Sequence, residues 1–241
     1  MASTLDAVTG RAPGRPRLYT WAALVGLLVI FAGFAPTYYL KSVVGSSGDL
    51  GMMRHVHGLV MTAWFVLFFV QARLVATGRT HIHRKLGAAG IVLAALVIGV
   101  GMATAIAAVR AGATPIGIPP MVFLVLPTGE MLAFASLFAA AIALRKRSDW
   151  HKRLMLLATL AMLAPAMARL PFEFVSKGGP PVFFALVDLV IIAFIAFDTI
   201  RNRRLHPAFM AGLAFIVFIQ IGRLALSGTA AWMSFAKWLV A

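Results

Sequence analysis

The chain contains 241 residues, of which 61% are hydrophobic and 12% charged, and it carries a net charge of +15. Soluble domains have about 25% charged residues, so this composition excludes a soluble globular protein and predicts one compact domain embedded in a lipid bilayer. The basic residues cluster in short connectors between apolar runs, which argues against a nucleic-acid partner. The lack of cysteine excludes disulfides and thiolate metal sites.

Seven apolar runs follow an N-terminal tail (1–17), and each is about as long as a helix needs to cross the hydrocarbon layer, roughly 20 residues. We therefore predict an all-α, seven-transmembrane-helix bundle over 18–226. The runs cover 18–40, 55–76, 86–109, 119–144, 153–174, 182–200 and 207–226. The remaining residues, 227–241, contain Trp232 and Trp238 and predict a short amphipathic helix at the membrane surface.

Basic residues are distributed unevenly between the two sides of the predicted bundle. With the N-terminus in the cytoplasm, 15 of the 22 Lys and Arg residues fall on the cytoplasmic side, as the positive-inside rule requires. This pattern predicts a multi-pass protein of the bacterial inner (cytoplasmic) membrane, with its N-terminus inside and its C-terminal helix on the periplasmic side.

Four acidic residues interrupt the apolar runs, although a carboxylate inside a membrane costs about 2.5–3.5 kcal/mol or more. Asp198 falls at the inner end of its run beside Arg201, where we expect an interfacial ion pair. The other three lie in the outer half with further polar residues. This convergence predicts a polar pocket made of His57, Glu130, Arg169, Glu173, Asp188, Gln220 and Arg223.

Spacing suggests partners for some of these charges. Arg169 and Glu173 are four residues apart and can pair along one helix, and Asp188 can pair with Arg223 if the last two runs are neighbours. Glu130 is then left without a basic partner, so we expect it to be protonated or to face a protonated His57 or a ligand. The alternative is that these pairs only hold helices together.

Prolines lie inside two of the predicted helices. Pro165 should kink the run 153–174, and Pro127 and Gly129 precede Glu130. A locally unwound helix beside a buried carboxylate is a recurrent binding-site arrangement in transporters, although a plain kink in a packed bundle explains the same residues.

The histidines suggest two ligand sites. His55 and His57 form a His-x-His pair, but alternate residues on a helix point about 200° apart, so they bind one metal ion only if the helix has not yet begun. His83 and His151 precede two parallel helices at similar depth and are the best candidate axial pair for a b-type haem. Solvated histidines at helix ends are the alternative.

Several of these motifs resemble one known group. His57-Gly58, Gln71, His83-Arg84-Lys85-Leu86-Gly87 and His151-Lys152-Arg153-Leu154-Met155 are similar to the His-x-x-Gly and His-Arg-x-Leu-Gly span starts of a broad group of bacterial multi-spanning membrane proteins. The resemblance covers about residues 50–175 and implies a multi-pass fold without a particular activity. The layout also faintly resembles the two-haem membrane cytochromes b, but those need two facing histidine pairs, and the fourth and sixth runs contain no histidine.

Three functions fit these observations. The leading hypothesis is redox chemistry or cofactor handling, with haem or a metal ion bound. The second is a small proton-coupled transporter in which Glu130 or Asp188 titrates. The third is a non-catalytic subunit that packs against other subunits of a larger membrane complex.

Overall fold

The structure is a computed structural model that describes residues 17–45, 50–114 and 118–241. The predicted tail 1–17 therefore lies outside the described residues, apart from Arg17. Helices form all the regular secondary structure of the described ranges. They are α1 (Leu18–Phe34), continued by a π-helix (Ala35–Tyr39), α2 (Lys41–Val44), α3 (Gly51–Ala76), α4 (Thr80–Arg110), α5 (Pro120–Phe123), α6 (Val125–Ala143), α7 (Ser148–Ala161), α8 (Ala164–Met167), α9 (Glu173–Asn202), α10 (Pro207–Leu226) and α11 (Ala230–Val240).

Six helical stretches of the described chain are long and apolar enough to cross a membrane. They are Leu18–Tyr39, Gly51–Ala76, Thr80–Arg110, Pro120–Ala143, Glu173–Asn202 and Pro207–Leu226. The chain is therefore all-helical and has the character of a multi-pass membrane protein in a lipid bilayer. The remaining predicted run, 153–174, is not one continuous helix, because it is divided into α7, α8 and a non-helical stretch before α9.

Prolines explain where the helices break. A proline inside a helix removes one backbone hydrogen bond, and its ring clashes with the carbonyl group four residues earlier. Accordingly, α7 ends at Ala161, four residues before Pro165, and α5 ends at Phe123, four residues before Pro127. In α9 the helical dihedral angles are interrupted at Gly179, with φ of 61°, directly before Pro180.

The broken segment α7–α8 is the most deeply buried part of the bundle. It packs against α1, α6, α9 and α10, and nearly every residue from Leu156 to Met167 is buried. The Lys152 ammonium group lies 5.5 Å from the centre of the Tyr19 ring, near the start of α1. The backbone of Ala166 contacts Gly33 near the end of α1. The segment therefore runs beside α1 over almost its whole length.

A buried ion pair holds one end of the bundle together, which we call the Arg153 end. The Nη2 atom of Arg153 lies 2.6 Å from Oδ2 of Asp198, and the Tyr19 hydroxyl group donates to Oδ1 at 3.3 Å. The expected pairing of Asp198 with Arg201 is thus wrong. Arg153 is the partner because α7 packs against α9 at this depth, whereas Arg201 is exposed.

The predicted C-terminal helix is present as α11. It begins after Thr229, whose hydroxyl group accepts a hydrogen bond from the Trp232 amide at 3.2 Å. The Trp232 indole donates to the Met121 carbonyl at 2.9 Å, and Arg110 Nε donates to the Val240 carbonyl at 2.8 Å. These bonds attach α11 to α5 and to the end of α4.

Candidate ligand cavity

A cavity of about 620 Å³ opens at the end of the bundle opposite the Arg153 end. Its walls come from the end of α1 and its π-helix and from α3, α4, α6, α8, α9 and α10. Most of the wall is apolar, with Phe34, Phe65, Phe183 and Phe184 among the lining side chains. The volume lies within the range of about 300–1,000 Å³ that is usual for small-molecule sites.

Four of the seven predicted pocket residues line this cavity together: His57, Glu130, Arg169 and Arg223. Glu130 and Arg223 are each only 6% exposed. The charges of Arg169 and Arg223 both act on the Glu130 carboxylate. Even so, among the described residues, neither guanidinium group approaches it within the 4.0 Å of an ion pair. The carboxylate therefore shares the cavity with two arginines without contacting either.

Arg169 is fixed by the irregular backbone that follows Pro165. The Arg169 amide donates to the Ala166 carbonyl rather than to that of Pro165. The Pro165 carbonyl group is thus free to accept a hydrogen bond from Nη1 of Arg169, at 2.7 Å. The guanidinium carbon also lies 4.7 Å from the centre of the Phe34 ring. A helix break therefore sets the position of this charge.

Arg223 reaches the cavity across the neighbouring helix α6. Its Nη1 atom donates to the Leu126 carbonyl at 3.0 Å, and its guanidinium carbon lies 4.3 Å from the centre of the Phe184 ring. The side chain passes directly over Gly129, where a Cβ atom would overlap Cγ and Cδ of Arg223. Gly129 thus provides the space for this arginine, a role that the sequence did not reveal.

Polar atoms at the cavity lack partners within the described part of the chain. Nε of Arg223 and Nδ1 of His57 are buried and form no hydrogen bond there. Buried polar groups are nearly always satisfied, since an unsatisfied one costs about 1–3 kcal/mol. Nε of Arg223 is therefore an unsatisfied donor in the described structure.

The glycine of the His57-Gly58 motif also has a steric role. A Cβ atom at Gly58 would overlap the Tyr38 ring. Tyr38 lines the cavity, and its hydroxyl group donates to the His55 carbonyl at 3.3 Å. The motif therefore allows the π-helix that follows α1 to pack against the start of α3.

Three predicted pocket residues, Glu173, Asp188 and Gln220, are not among the cavity-lining residues. Glu173 instead pairs with Lys177 at 2.6 Å on the surface, where the two side chains are 78% and 76% exposed. The expected Arg169–Glu173 pair is wrong, because α9 begins at Glu173 and Arg169 belongs to no common helix with it.

Asp188 and Gln220 connect α9 to α10 beside the cavity. Nε2 of Gln220 donates to Oδ1 of Asp188 at 3.0 Å. The Asp188 charge acts on Arg223, but these two side chains form no ion pair in the described structure. The predicted Asp188–Arg223 pair is therefore replaced by a hydrogen bond to an amide.

The His55–His57 pair does not have the geometry of a metal site. Both residues lie inside α3, which begins at Gly51, so their side chains diverge. His55 is exposed, whereas His57 lines the cavity. Nowhere in the described ranges do three His, Cys, Asp or Glu residues form a group that could hold a metal ion.

The predicted haem pair, His83 and His151, lies near the Arg153 end. The ring centres are 6.4 Å apart, with an angle of 72° between the planes. Nδ1 of His151 bonds to the Ala141 carbonyl at 2.8 Å. Nδ1 of His83 faces the Gln71 amide at 2.8 Å, and the amide orientation that satisfies both Gln71 atoms makes Gln71 the donor. A neutral His83 then carries its proton on Nε2. In this tautomer Nε2 has no lone pair for iron.

Comparison of the chain with protein-family models, with curated proteins and with solved structures finds no match.

Proposed function

We propose that this protein binds a small amphipathic molecule within the membrane. The polar head of the ligand meets Glu130, Arg169, Arg223 and His57, and its apolar body lies along the phenylalanine-rich wall. The observation that carries the proposal is a carboxylate and two guanidinium groups that share an apolar cavity of about 620 Å³ without pairing with one another. Charges in such surroundings normally have partners, and a bound head group would supply them.

Binding can be tested by native mass spectrometry of the protein purified in a neutral detergent. We expect a bound small molecule that is retained by the wild type. The variant Ala105→Phe places a ring where Ala105 lines the cavity and should lose the molecule. Leu189→Phe enlarges an exposed side chain on α9 and is the matched control. Equal retention by both variants would contradict a ligand in this cavity.

The proposal includes a seven-segment topology with the N-terminus in the cytoplasm of a bacterium. Its support is that α7–α8 lies beside α1 along almost the whole length of that helix, so it covers the same depth. The chain has no cysteine, so single cysteines can be introduced without background. Arg145→Cys and Arg203→Cys should react only from the cytoplasmic side, and Lys177→Cys and Ser227→Cys only from outside. Labelling of positions 145 and 177 from the same side would contradict the seventh crossing.

Such a cavity suits either cofactor handling or transport, the first two functions expected from the sequence. Helices broken beside a cavity are common in transporters, and α6 and α8 both show such breaks here. Glu130 is the carboxylate placed to titrate with a cargo, whereas Asp188 lies outside the lining. If the protein is a transporter, Glu130→Gln should abolish pH-dependent uptake of the cargo, whereas Glu173→Gln should preserve it. Unchanged uptake in Glu130→Gln would contradict it.

Haem binding by His83 and His151 is the second candidate function, and its support is the proximity of the two rings. It requires the other His83 tautomer, in which Nδ1 donates its proton to the Gln71 amide oxygen and Nε2 is unprotonated. An absorbance spectrum of the purified protein tests it. Haem ligation predicts a Soret band that is lost in His83→Ala and kept in His81→Ala. A spectrum without that band would remove this candidate. The subunit hypothesis is tested by stoichiometric copurification of other membrane proteins from native membranes.

A further inference from the structure

We infer that the ligand of this cavity carries one negative charge, as a single-chain carboxylate amphiphile does. The inference rests on the proposed function and specifies its ligand class. It depends on the charge of the cavity, on the unused N–H groups of two arginines and on the basic residue at the mouth of the cavity.

The charges deep in the cavity do not balance. Arg169 and Arg223 contribute two positive charges, and an ionised Glu130 contributes one negative charge. The other predicted carboxylates do not line the cavity, because Glu173 is on the surface and Asp188 is bonded to Gln220. The sequence had suggested an excess of acid, but among the described residues the deep part of the cavity has an excess of one base; Arg54, which also lines the cavity, is exposed at its mouth. A buried charge without a counter-charge is strongly unfavourable, so a monoanion completes the set.

Both guanidinium groups also have the geometry to receive a carboxylate. Each uses Nη1 for a backbone carbonyl group, that of Pro165 for Arg169 and that of Leu126 for Arg223. Among the described residues no hydrogen bond uses Nη2 of either arginine, and the N–H groups of a guanidinium match the oxygens of a carboxylate. Nε of Arg223 is buried and has no partner in the part of the chain that the structure describes. Nη2 of each arginine is therefore the donor left for a carboxylate head group.

Glu130 limits the charge that the cavity accepts. It lies within electrostatic range of both arginines and opposes a second negative charge between them. A phosphate monoester above its second pKa of about 6 is a dianion. Together with an ionised Glu130 it would exceed the charge of the two arginines and leave a net negative charge in an apolar cavity. Removing the Glu130 charge should therefore shift the preference from monoanions toward dianions.

The mouth of the cavity has a charge that suits an anion. Arg54 is exposed on the first turn of α3 and also lines the cavity, so it can attract anions toward the opening. The inner lining is mostly aromatic, aliphatic and methionine side chains, which suit one hydrocarbon chain.

Binding of four probes with the same dodecyl chain tests the inference on the full-length protein in neutral detergent. The probes are laurate, dodecanol, dodecyltrimethylammonium and dodecyl phosphate at pH 8. We expect laurate to bind about tenfold or more tightly than the neutral and cationic probes, since charge-assisted hydrogen bonds from arginine to a carboxylate are stronger than neutral ones. Wild-type preference alone decides this point, so it does not depend on the folding of any variant.

Single-residue variants then test whether the preference for laurate arises in the cavity. Arg169→Gln and Arg223→Gln should each weaken laurate about tenfold while leaving dodecanol unchanged, and Glu130→Gln should favour dodecyl phosphate over laurate relative to wild type. Arg145→Gln and Glu173→Gln remove the same charges from exposed positions and should change nothing. Equal binding of laurate and dodecanol would overturn the inference and leave the proposed function standing. Probes that bind equally to wild type and Ala105→Phe would instead overturn the proposed function.

Discussion

Arg153 of α7 and Asp198 of α9 form an ion pair in which the two side chains are 5% and 3% exposed. Both Nε and Nη2 of Arg153 donate to Oδ2 of Asp198, at 3.0 and 2.6 Å, and Nη1 donates to the Asp149 carbonyl at 2.9 Å. The pair connects the broken central segment to a long helix at the end opposite the cavity. It therefore stabilises the frame on which the cavity is built.

Breaking this pair should destabilise the protein strongly. Removing one partner of a buried pair leaves an uncompensated charge and costs about 3–5 kcal/mol. We expect Asp198→Asn and Arg153→Met each to lower the free energy of unfolding by such an amount, and the double variant to recover much of the loss. Unfolding in detergent measures both effects. Glu173→Gln breaks only an exposed pair and should cost less than about 1 kcal/mol; a similar loss in that control would refute the special role of Arg153 and Asp198.

The contact between α1 and α8 predicts a second site of high sensitivity. A Cβ atom at Gly33 would overlap the backbone of Ala166, which cannot move as a flexible side chain would. Gly33→Ala should therefore separate the two helices and lower the midpoint of thermal unfolding by several degrees. Gly99→Ala is the matched control on α4, since no atom lies within 4 Å of the new Cβ position. Equal stability of the two variants would show that α8 does not pack on α1 in this way.

Gly129→Ala should affect binding through Arg223. The added methyl group would occupy the space of the Arg223 side chain and displace its guanidinium group from the cavity. We expect laurate binding to weaken about tenfold, as for loss of one charged hydrogen bond, while dodecanol binding stays near its wild-type value. Parallel loss of both probes would indicate a collapsed cavity and not a displaced charge.

Acid should weaken one contact at the Arg153 end, outside the membrane-spanning segments. Nδ1 of His206 accepts from the Ala208 amide, so its Nε2 carries the proton and donates to Asp149 at 3.0 Å. This hydrogen bond holds the pKa of the Asp149 carboxyl group below its ordinary value of 3.8. A carboxyl group with a lowered folded-state pKa stabilises the fold above its ordinary pKa, and the contribution is lost as the pH falls through the lower value.

The measurement is the thermal midpoint of wild type and Asp149→Asn between pH 7 and pH 3. The wild type should be the more stable protein from neutral pH down to about pH 4, and the difference should shrink below that pH. A difference that stays constant down to pH 3 would mean that the ionised carboxylate is not what stabilises this contact.

The positions of the membrane-spanning helices could be predicted because lipid imposes a long apolar run on any helix that crosses it. The same rule could not show that the run 153–174 is divided into separate helices. Hydropathy measures the polarity of side chains and not the effect of the Pro165 ring on the helix backbone. The partner of a charged side chain was harder to predict than the position of a helix. Asp198 pairs with Arg153, 45 residues earlier in the chain, and no local spacing identifies such a contact.

Part of the candidate site could also be predicted from the requirements of a lipid environment. Buried charges identified Glu130, Arg169 and Arg223 because a membrane makes them costly. Glu173 was misplaced because the apolar run was extended across the break before α9. The roles of Gly129 and Gly58 could not be predicted, because they depend on side chains from other helices. Arg223 packs over Gly129, and Tyr38 packs over Gly58.

Photolabelling tests the central claim most directly, namely that an amphipathic ligand occupies the cavity around Glu130, Arg169 and Arg223. A laurate analogue with a diazirine on its chain would be crosslinked to the full-length protein, and the labelled peptides mapped with and without excess laurate. We predict labels near the cavity-lining residues Phe34, Met61, Met131 and Phe184, all suppressed by the competitor. Labels confined to exposed helix faces, such as those of Leu189 and Phe218, and insensitive to laurate would contradict it.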